Sequence, residues 1–444
     1  MTKTDIKYSR IWQIAYPIIL GSIAQNLINF TDTAFLGRVG EIALGAGALG
    51  GLFYLAVIML GLGFSTGAQI IIARRNGEGR LKEIGPIIDQ SLYFMVPLAI
   101  FTYILLRYWS IDILEFAVQS KAIFAETTIY MKYRAVGIFF AMGNMVFRAF
   151  FVGLAKTKVI TYTTVVLAIV NIILDYILIF GKYGAPEMGV AGAALASVIA
   201  EASALIYFIA YTFIKIKFDD YALFRFLVPN LQQLKAILKV AIPIMMQQFI
   251  SLSVWFIFFL FIEKIGEMAL AVSNIIRSIY VILMVPVWGF ATATNTLVSY
   301  IIGLKKQDQV MSLIYKIGAL CFVGVLVIVG TNVIFPEIIM SIYTNDPKLI
   351  ALGKPVLYVV SIGALFLSQG FIFFNGISGT GKTNISLALE MIVLSFYLVY
   401  TYTIVYVFNA DVALAWTSEI VYGILLSSVS YLYLKTGHWK KGSI

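Results

Sequence analysis

Residues 54–77 read YLAVIMLGLGFSTGAQIIIARRNG, and residues 280–303 read YVILMVPVWGFATATNTLVSYIIG. The second stretch carries no charge, and the first carries none until Arg74 and Arg75. A helix rising ~1.5 Å per residue needs roughly 20 such residues to cross the hydrocarbon of a bilayer. The copies share Tyr54/Tyr280, Gly63/Gly289, Phe64/Phe290, Thr66/Thr292 and Gly77/Gly303, at a constant offset of 226 residues. A membrane-crossing helix written twice in one register predicts a membrane protein built from an internal repeat.

The register extends in both directions without a gap. Ala15, Pro17 and Ile18 fall on Ala241, Pro243 and Ile244, and Gly40-Glu41 with Ala43-Leu44 falls on Gly266-Glu267 with Ala269-Leu270. Gly137, Gly153, Lys156 and Thr157 fall on Gly363, Gly379, Lys382 and Thr383. Twelve apolar stretches are expected to cross, near 11–36, 43–73, 87–109, 122–150, 159–181, 188–214, 235–262, 268–302, 311–335, 350–378, 384–408 and 411–434. Six spans per half means that both halves enter the membrane from the same side. Such parallel repeats are related by an axis along the membrane normal, and transporters place substrate between them. The fold class is therefore an all-α polytopic membrane protein of two six-helix lobes, 1–214 and 235–444, joined by a polar linker at 215–234 that contains Asp219, Asp220 and Pro229.

Composition agrees. Of the 444 residues 61% are hydrophobic and 12% charged, with a mean hydropathy of +0.94, whereas soluble domains run near ~25% charged. A single cysteine, Cys321, excludes a disulfide framework and a cysteine metal cluster. A single histidine, His438, excludes a histidine metal site and argues against an imidazole proton relay. No cofactor is expected, and acid–base chemistry within the membrane has to rest on carboxylates. The net charge of +10 is read as basic cytoplasmic loops rather than as a nucleic-acid surface. Lys and Arg crowd the N-terminus (Lys3, Lys7, Arg10), the 2–3 loop (Arg74, Arg75, Arg80, Lys82), the other even-numbered loops and the tail. Odd-numbered loops hold mostly single charges: Arg38, Lys121, Lys182, Lys264 and Lys348. Both termini are accordingly expected on the cytoplasmic side of the inner membrane, with the first span retained rather than cleaved as a signal peptide.

Gly376-Ile-Ser-Gly-Thr-Gly-Lys-Thr383 matches the phosphate-loop pattern G-x-x-x-x-G-K-[ST] letter for letter. That chemistry needs a strand before the loop and a carboxylate for magnesium. Here an apolar helix precedes the motif, and its repeat partner Gly153-Leu-Ala-Lys156-Thr157-Lys158 lacks the pattern. A turn between spans 10 and 11 explains both copies.

Carboxylates inside spans cost roughly 2.5–3.5 kcal/mol each even on the insertion scale. Asp32 shares a helix face with Gln25 and Asn29 in span 1, and Asp175 shares one with Asn171 and Thr164 in span 5. Both spans run outward, so both aspartates are expected in the outer half of the bilayer, with Ser197 of span 6 near the same level. Burial and mutual repulsion oppose double ionisation of such a pair, which suits it to taking up and releasing a proton. Its oxygens also suit sodium, with Asp32, Asp175 and Asn171 as ligands. The repeat partners are Phe258 and Thr401, so cation coupling is expected in the first half alone. Glu201, Arg277, Lys316 and Glu390 either line a central cavity or pair across helices, and Glu126, Lys132, Arg134 and Arg148 lie near helix ends or interfaces.

These residues resemble the multidrug and toxic compound extrusion (MATE) family. Asp32-Thr-Ala-Phe-Leu-Gly37-Arg38-Val-Gly40 with Ala43-Leu44 resembles its first-helix motif, and Phe151-Val-Gly153-Leu-Ala-Lys156-Thr157 its 4–5 loop. Asn171-Ile-Ile-Leu-Asp175 and Gly189-Val-Ala-Gly-Ala-Ala-Leu-Ala-Ser197 are similar to its fifth and sixth helices. The resemblance implies a V of two lobes and secondary export of amphipathic, often cationic compounds against protons or sodium, by a monomer and not by an enzyme. It places Asp32, Asn171 and Asp175 on the family's N-lobe cation site, Ser197 beside it, Tyr130 and Asn144 in the surrounding network, and Pro17 on a first-helix kink. The NorM branch carries acids on helices seven and ten. Here those positions read Gln247-Gln248-Phe-Ile-Ser251-Leu-Ser253 and Asn375-Gly376, which favours the branch resembling DNA-damage-inducible protein F. Two alternatives stay open: a lipid-linked saccharide flippase of the wider superfamily, and a nucleotide-dependent membrane enzyme.

The reading of the glycine motif makes Lys382→Ala nearly neutral for transport. Loss of efflux together with loss of measurable ATP binding in the purified variant would restore the phosphate loop.

Overall fold

The computed structural model describes residues 6–226 and 228–440. Lys3 and Lys441, which entered the charge count, lie outside them. The protein is helical throughout these residues, and eleven helices are long and apolar enough to cross a membrane; a bent pair makes the twelfth. The first six spans are Tyr8–Val39, Glu41–Gly77, Leu81–Phe116, Lys121–Arg134 with Gly137–Gly153, Lys158–Phe180 and Val190–Lys215. The second six are Leu231–Ile265, Glu267–Gly303, Gln307–Ile334, Pro347–Gly379, Thr383–Val407 and Val412–Thr436. All twelve expected stretches are present, and the protein is a multi-pass membrane protein.

Span 4 departs from expectation. It was read as continuous over 122–150, yet it breaks after Arg134 and resumes at Gly137 with a bend of 50°. At Gly137 an added Cβ would sit 2.4 Å from Arg134 Nη1 and 2.5 Å from Glu201 Oε2, so the break lies where two charged side chains close on the backbone.

The repeat is visible in the backbone itself. Gly40 and Gly266, each capping the helix that follows, have φ of 147° and 137°. Gly79 and Lys305 have φ of 72° and 59°, and Ala155 and Gly381 have 55° and 90°. Each pair is separated by 226 residues, so equivalent turns close in equivalent left-handed conformations.

The chain forms two compact units, Leu20–Met245 and the residues up to Ile19 together with Met246–Ile444. Their boundaries fall two residues after Pro17 and two after Pro243. Within the first unit, the opening half of span 7 lies so close to span 2 that a Cβ on Gly63 would meet Met245 Cα at 2.5 Å, and one on Gly67 would meet Ala241 Cα at 2.6 Å. The linker also folds onto this unit. The Phe226 N–H donates to Asp89 Oδ2 at 3.0 Å, and the Asn230 N–H donates to Gln90 Oε1 at 3.1 Å. Within the second unit, the opening turns of span 1 pack on span 8, with Trp12 and Phe290 ring centroids 6.0 Å apart and Ile19 against Gly289. Beyond the membrane, a Lys440–Asp308 ion pair of 2.8 Å ties the tail to the 8–9 loop, and the ammonium holds the Asp308 carboxyl below the usual carboxylate range.

The glycine motif at 376–383 is a helix end and a turn. Gly376 to Gly379 complete span 10, and the backbone N–H groups of Thr380 and Gly381 donate to the carbonyls of Gly376 and Ser378 at 3.2 and 2.9 Å. Those amides are therefore already used rather than held ready for a phosphate. An added Cβ on Gly379 would lie 2.8 Å from the carbonyl oxygen of Asn295, and one on Gly153 would lie 3.0 Å from that of Gln69. Gln69 and Asn295 are themselves repeat partners. These glycines serve a close helix crossing found once in each half.

Gly379→Val should therefore destabilise the protein by about 1–3 kcal/mol, the usual cost of forcing volume into a packed contact. Gly330→Val, where no atom lies within 4 Å of the new Cβ, should change little. Thermal unfolding in detergent micelles checks this, and equal melting temperatures for the two variants would refute it.

Candidate functional site

Span 5 places Asn171 and Asp175 one turn apart, and both side chains are fully buried. Two close approaches bring partners to them. Span 1 lies along span 5, with Gly21 against Thr164 near one end and Phe35 against Tyr176 and Phe180 near the other, at ring distances of 6.4 and 5.6 Å. Between those contacts Asp32 meets Asp175. Span 6 approaches on the other side, where a Cβ on Gly192 would fall 2.7 Å from the Leu178 carbonyl group. The small residues of 190–197 permit this approach, and Asn171 Nδ2 donates to Ser197 Oγ at 3.5 Å.

The Asp32 and Asp175 carboxyl groups lie beside one another. Two ionised carboxylates have no donor to offer each other. Asp32 Oδ1 and both carboxylate oxygens of Asp175 are buried and receive no donor from the protein. The Asn171 Oδ1 atom is likewise without a partner. The cluster is thus rich in oxygen acceptors and short of positive charge.

One cation stands nearby, and it belongs to another carboxylate. Arg134 grips Glu201 with two parallel hydrogen bonds of 2.8 and 2.6 Å. Tyr54 donates to the same carboxylate at 2.9 Å, and its ring lies under the guanidinium at 3.5 Å. Asn144 Nδ2 donates to the Glu201 backbone carbonyl at 2.9 Å. Tyr130 packs its ring against Gly50 and connects the two groups, being within electrostatic reach of both Asp32 and Arg134. Asp32 in turn feels the Arg134 charge. The whole cluster holds three carboxyl groups and one guanidinium, so it reaches neutrality only by taking up two further positive charges.

The structure thus brings together Asp32, Asp175, Asn171, Ser197, Tyr130, Asn144 and Glu201. Gln25 and Asn29 stay outside: both are exposed and neither side chain hydrogen-bonds to the cluster. Arg134, expected at a helix end or interface, is instead a buried ion-pair partner, which resolves Glu201 as paired. Tyr54 was signalled only as a repeat landmark. Arg277 stacks over Phe259 at 5.4 Å, and Lys316 Nζ donates to the Ile6 carbonyl at 3.5 Å beside the Tyr8 ring. In the second half, Phe258 is fully buried against Trp416 at 5.0 Å, and the Thr401 hydroxyl donates to the Tyr397 carbonyl at 2.8 Å. Neither position carries charge, and the Arg134–Glu201 pair falls on Val360 and Ser427.

Twelve spans with an internal repeat and buried carboxylates are features that secondary transporters use to build their sites. The sequence profile of the family described as MatE matches residues 17–177 and again 243–403, two stretches offset by 226 residues at both ends. The chain belongs to this family of multidrug and toxic compound extrusion transporters, which work without enzymatic turnover and need no cofactor. It is 27% identical to a probable multidrug resistance protein NorM of Thermotoga maritima, over 97% of this chain and 93% of that one. It is 26% identical to a protein of the same description from Idiomarina loihiensis, over 81% and 78%. Among solved structures, an outward-facing MATE family transporter of the MOP superfamily superposes with a TM-score of 0.91 at 20% identity, covering both chains fully. A MOP superfamily transporter from Pyrococcus furiosus gives 0.90 at 20% identity, covering 98% of this chain and 97% of that one. At that identity the structures speak for the fold.

Breaking a buried pair strands a charge and costs about 3–5 kcal/mol. Glu201→Ala and Arg134→Ala should each destabilise by that order, whereas the double replacement Arg134→Met/Glu201→Leu should recover most of it. Double-mutant thermal unfolding in micelles measures the coupling, and additive effects would show that the pair contributes no interaction energy.

Proposed function

We propose that this protein exports small amphipathic, often cationic organic compounds from the cytoplasm across the inner membrane, in exchange for protons or sodium bound at Asp32 and Asp175. The observation that carries the reading is that these two carboxyls adjoin, with Asp32 Oδ1 and both Asp175 oxygens buried and without a donor. Asn171 and Ser197 hold the pair from spans 5 and 6, and Asp32, Asp175 and Asn171 are the ligands for sodium if sodium replaces the proton. The names of the relatives support multidrug efflux.

In antiport the drug and the cation must favour different conformations, since a ligand shifts an equilibrium only through differential affinity. Cation uptake neutralises the aspartates and lets the Asp32 end of span 1 repack about the Pro17 region, which weakens drug binding. Release of the cation restores repulsion between the carboxylates and reverses the change. The lobes 1–214 and 235–444 are the halves that rearrange, as a monomer, with both termini and the 215–234 linker on the cytoplasmic side. The missing acids at Gln247–Ser253 and Asn375 support a place nearer the branch resembling DNA-damage-inducible protein F, while the NorM names of the relatives speak for the other branch.

Asp32→Asn and Asp175→Asn should each abolish gradient-driven dye efflux from proteoliposomes while leaving the protein folded and inserted. Conservative changes at the repeat partners, Phe258→Leu and Thr401→Ser, should leave the dependence on the ion gradient unchanged. Running the assay under separately imposed proton and sodium gradients identifies the coupling ion. Full efflux with unaltered ion dependence in both aspartate variants would remove the site from the mechanism.

A further inference from the structure

The second half has no counterpart of the aspartate pair, yet it buries two glutamates of its own. Glu390 in span 11 and Glu419 in span 12 are each 3% exposed. Glu390 Oε1 accepts from Ser251 Oγ at 2.8 Å and from the Tyr422 hydroxyl at 3.0 Å. Glu390 Oε2 is enclosed and receives no donor. Glu419 accepts from the Tyr397 hydroxyl at 3.1 Å and the Tyr280 hydroxyl at 3.3 Å. The two glutamates are neighbours through their tyrosines, because Tyr422 donates to Glu390, Tyr397 donates to Glu419, and these two tyrosine rings are in contact. The Tyr397 and Tyr422 rings stand 5.8 Å apart.

Every donor in this network is a neutral hydroxyl. They come from spans 7, 8, 11 and 12, and the titratable groups facing Glu390 and Glu419 are Tyr280, Tyr397 and Tyr422. Among the described residues no lysine, arginine or histidine forms an ion pair with either glutamate. Arg277, one turn before Tyr280, is stacked on Phe259 instead. This is the reverse of the first half, where Glu201 has a bidentate arginine. Hydroxyls satisfy lone pairs but do not cancel charge, and an unpaired carboxylate in such a site costs several kcal/mol. The positive charge has to come from outside the side chains of the network. Both lone-pair directions of Glu390 Oε1 are used by Ser251 and Tyr422, which leaves Oε2 as the atom open to it.

We propose that the second half carries a proton-binding site of its own, at Glu390 Oε2, held by Ser251 and Tyr422 and linked through Tyr422 to Glu419. Binding forms one O–H bond with a proton drawn from water, and release returns it to water. The site stands on spans 7, 11 and 12 and does not depend on the role given to Asp32 and Asp175.

The test is infrared difference spectroscopy of the purified full-length protein between mildly acidic and mildly alkaline pH. It is performed in an Asp32→Asn/Asp175→Asn background so that this aspartate pair contributes no signal. The expected result is a titrating C=O stretch of a buried carboxylic acid that Glu390→Gln removes. Tyr422→Phe keeps the glutamate but takes away one hydrogen bond, so the band should persist and shift to higher frequency. A difference spectrum unchanged by Glu390→Gln would overturn the proposal. So would a band indifferent to Tyr422→Phe, which also decides the matter should Glu390→Gln fail to fold. Disappearance of the band on adding sodium at constant pH would assign the site to a metal cation and overturn the proton reading.

Discussion

The hydrocarbon core of a bilayer supplies neither hydrogen-bond donors nor counter-charges, so every carboxylate placed in it must find both within the protein. That constraint organises the interior of each half of this transporter. In the first half Glu201 finds both in Arg134 and Tyr54, while Asp32 Oδ1 and both oxygens of Asp175 are buried without a donor. In the second half hydroxyls are supplied but charge is not. A transporter needs such deficits, because a site fully satisfied by its own side chains has no reason to bind and release an ion.

The repeat separates what packing holds constant from what chemistry is free to change. The conformations at Gly40 and Gly266, and at Ala155 and Gly381, follow the 226-residue offset, as do the crossings of Gly153 on Gln69 and Gly379 on Asn295. Backbones approach so closely at these crossings that any side chain on the glycine would force the helices apart. Side-chain chemistry has diverged on that common frame. Asp32 corresponds to Phe258 in the repeat, Asp175 to Thr401, Arg134 to Val360 and Glu201 to Ser427. A charge can be exchanged for an aromatic ring when its partners change with it, as Phe258 shows by filling its place with Trp416 and Tyr397 at 5.0 and 5.9 Å.

Much was legible before any coordinates. Asp32, Asn171, Asp175 and Ser197 stood out because polar residues on a helix face in an apolar chain are costly. The stretch at 376–383 was recognisable as a turn because its repeat partner kept the location and lost the motif. Gln25 and Asn29 carry the same signal as Asp32 and share its face, yet they lie outside the cluster. Glu419 passed unremarked at the start of a span, where a carboxylate ordinarily reaches water, although Tyr280 and Tyr397 enclose it. Arg134 was expected at a helix end or interface for the same reason, although Glu201 of span 6 holds it buried.

The sequence by itself determined the twelve spans, the repeat and its register, and which residues are expensive in a membrane. Those properties are local, because transfer energy adds along a single helix and an offset can be counted. Only the tertiary structure decided which expensive residues meet. Helical spacing assigns a residue to a face, but the neighbour of that face depends on where two helices approach. Here those approaches are set by Gly21 on Thr164, Gly192 on Leu178 and Gly137 beside the Arg134–Glu201 pair. Distances between spans arise from the packing of every side chain in the interface at once, and no single segment contains them.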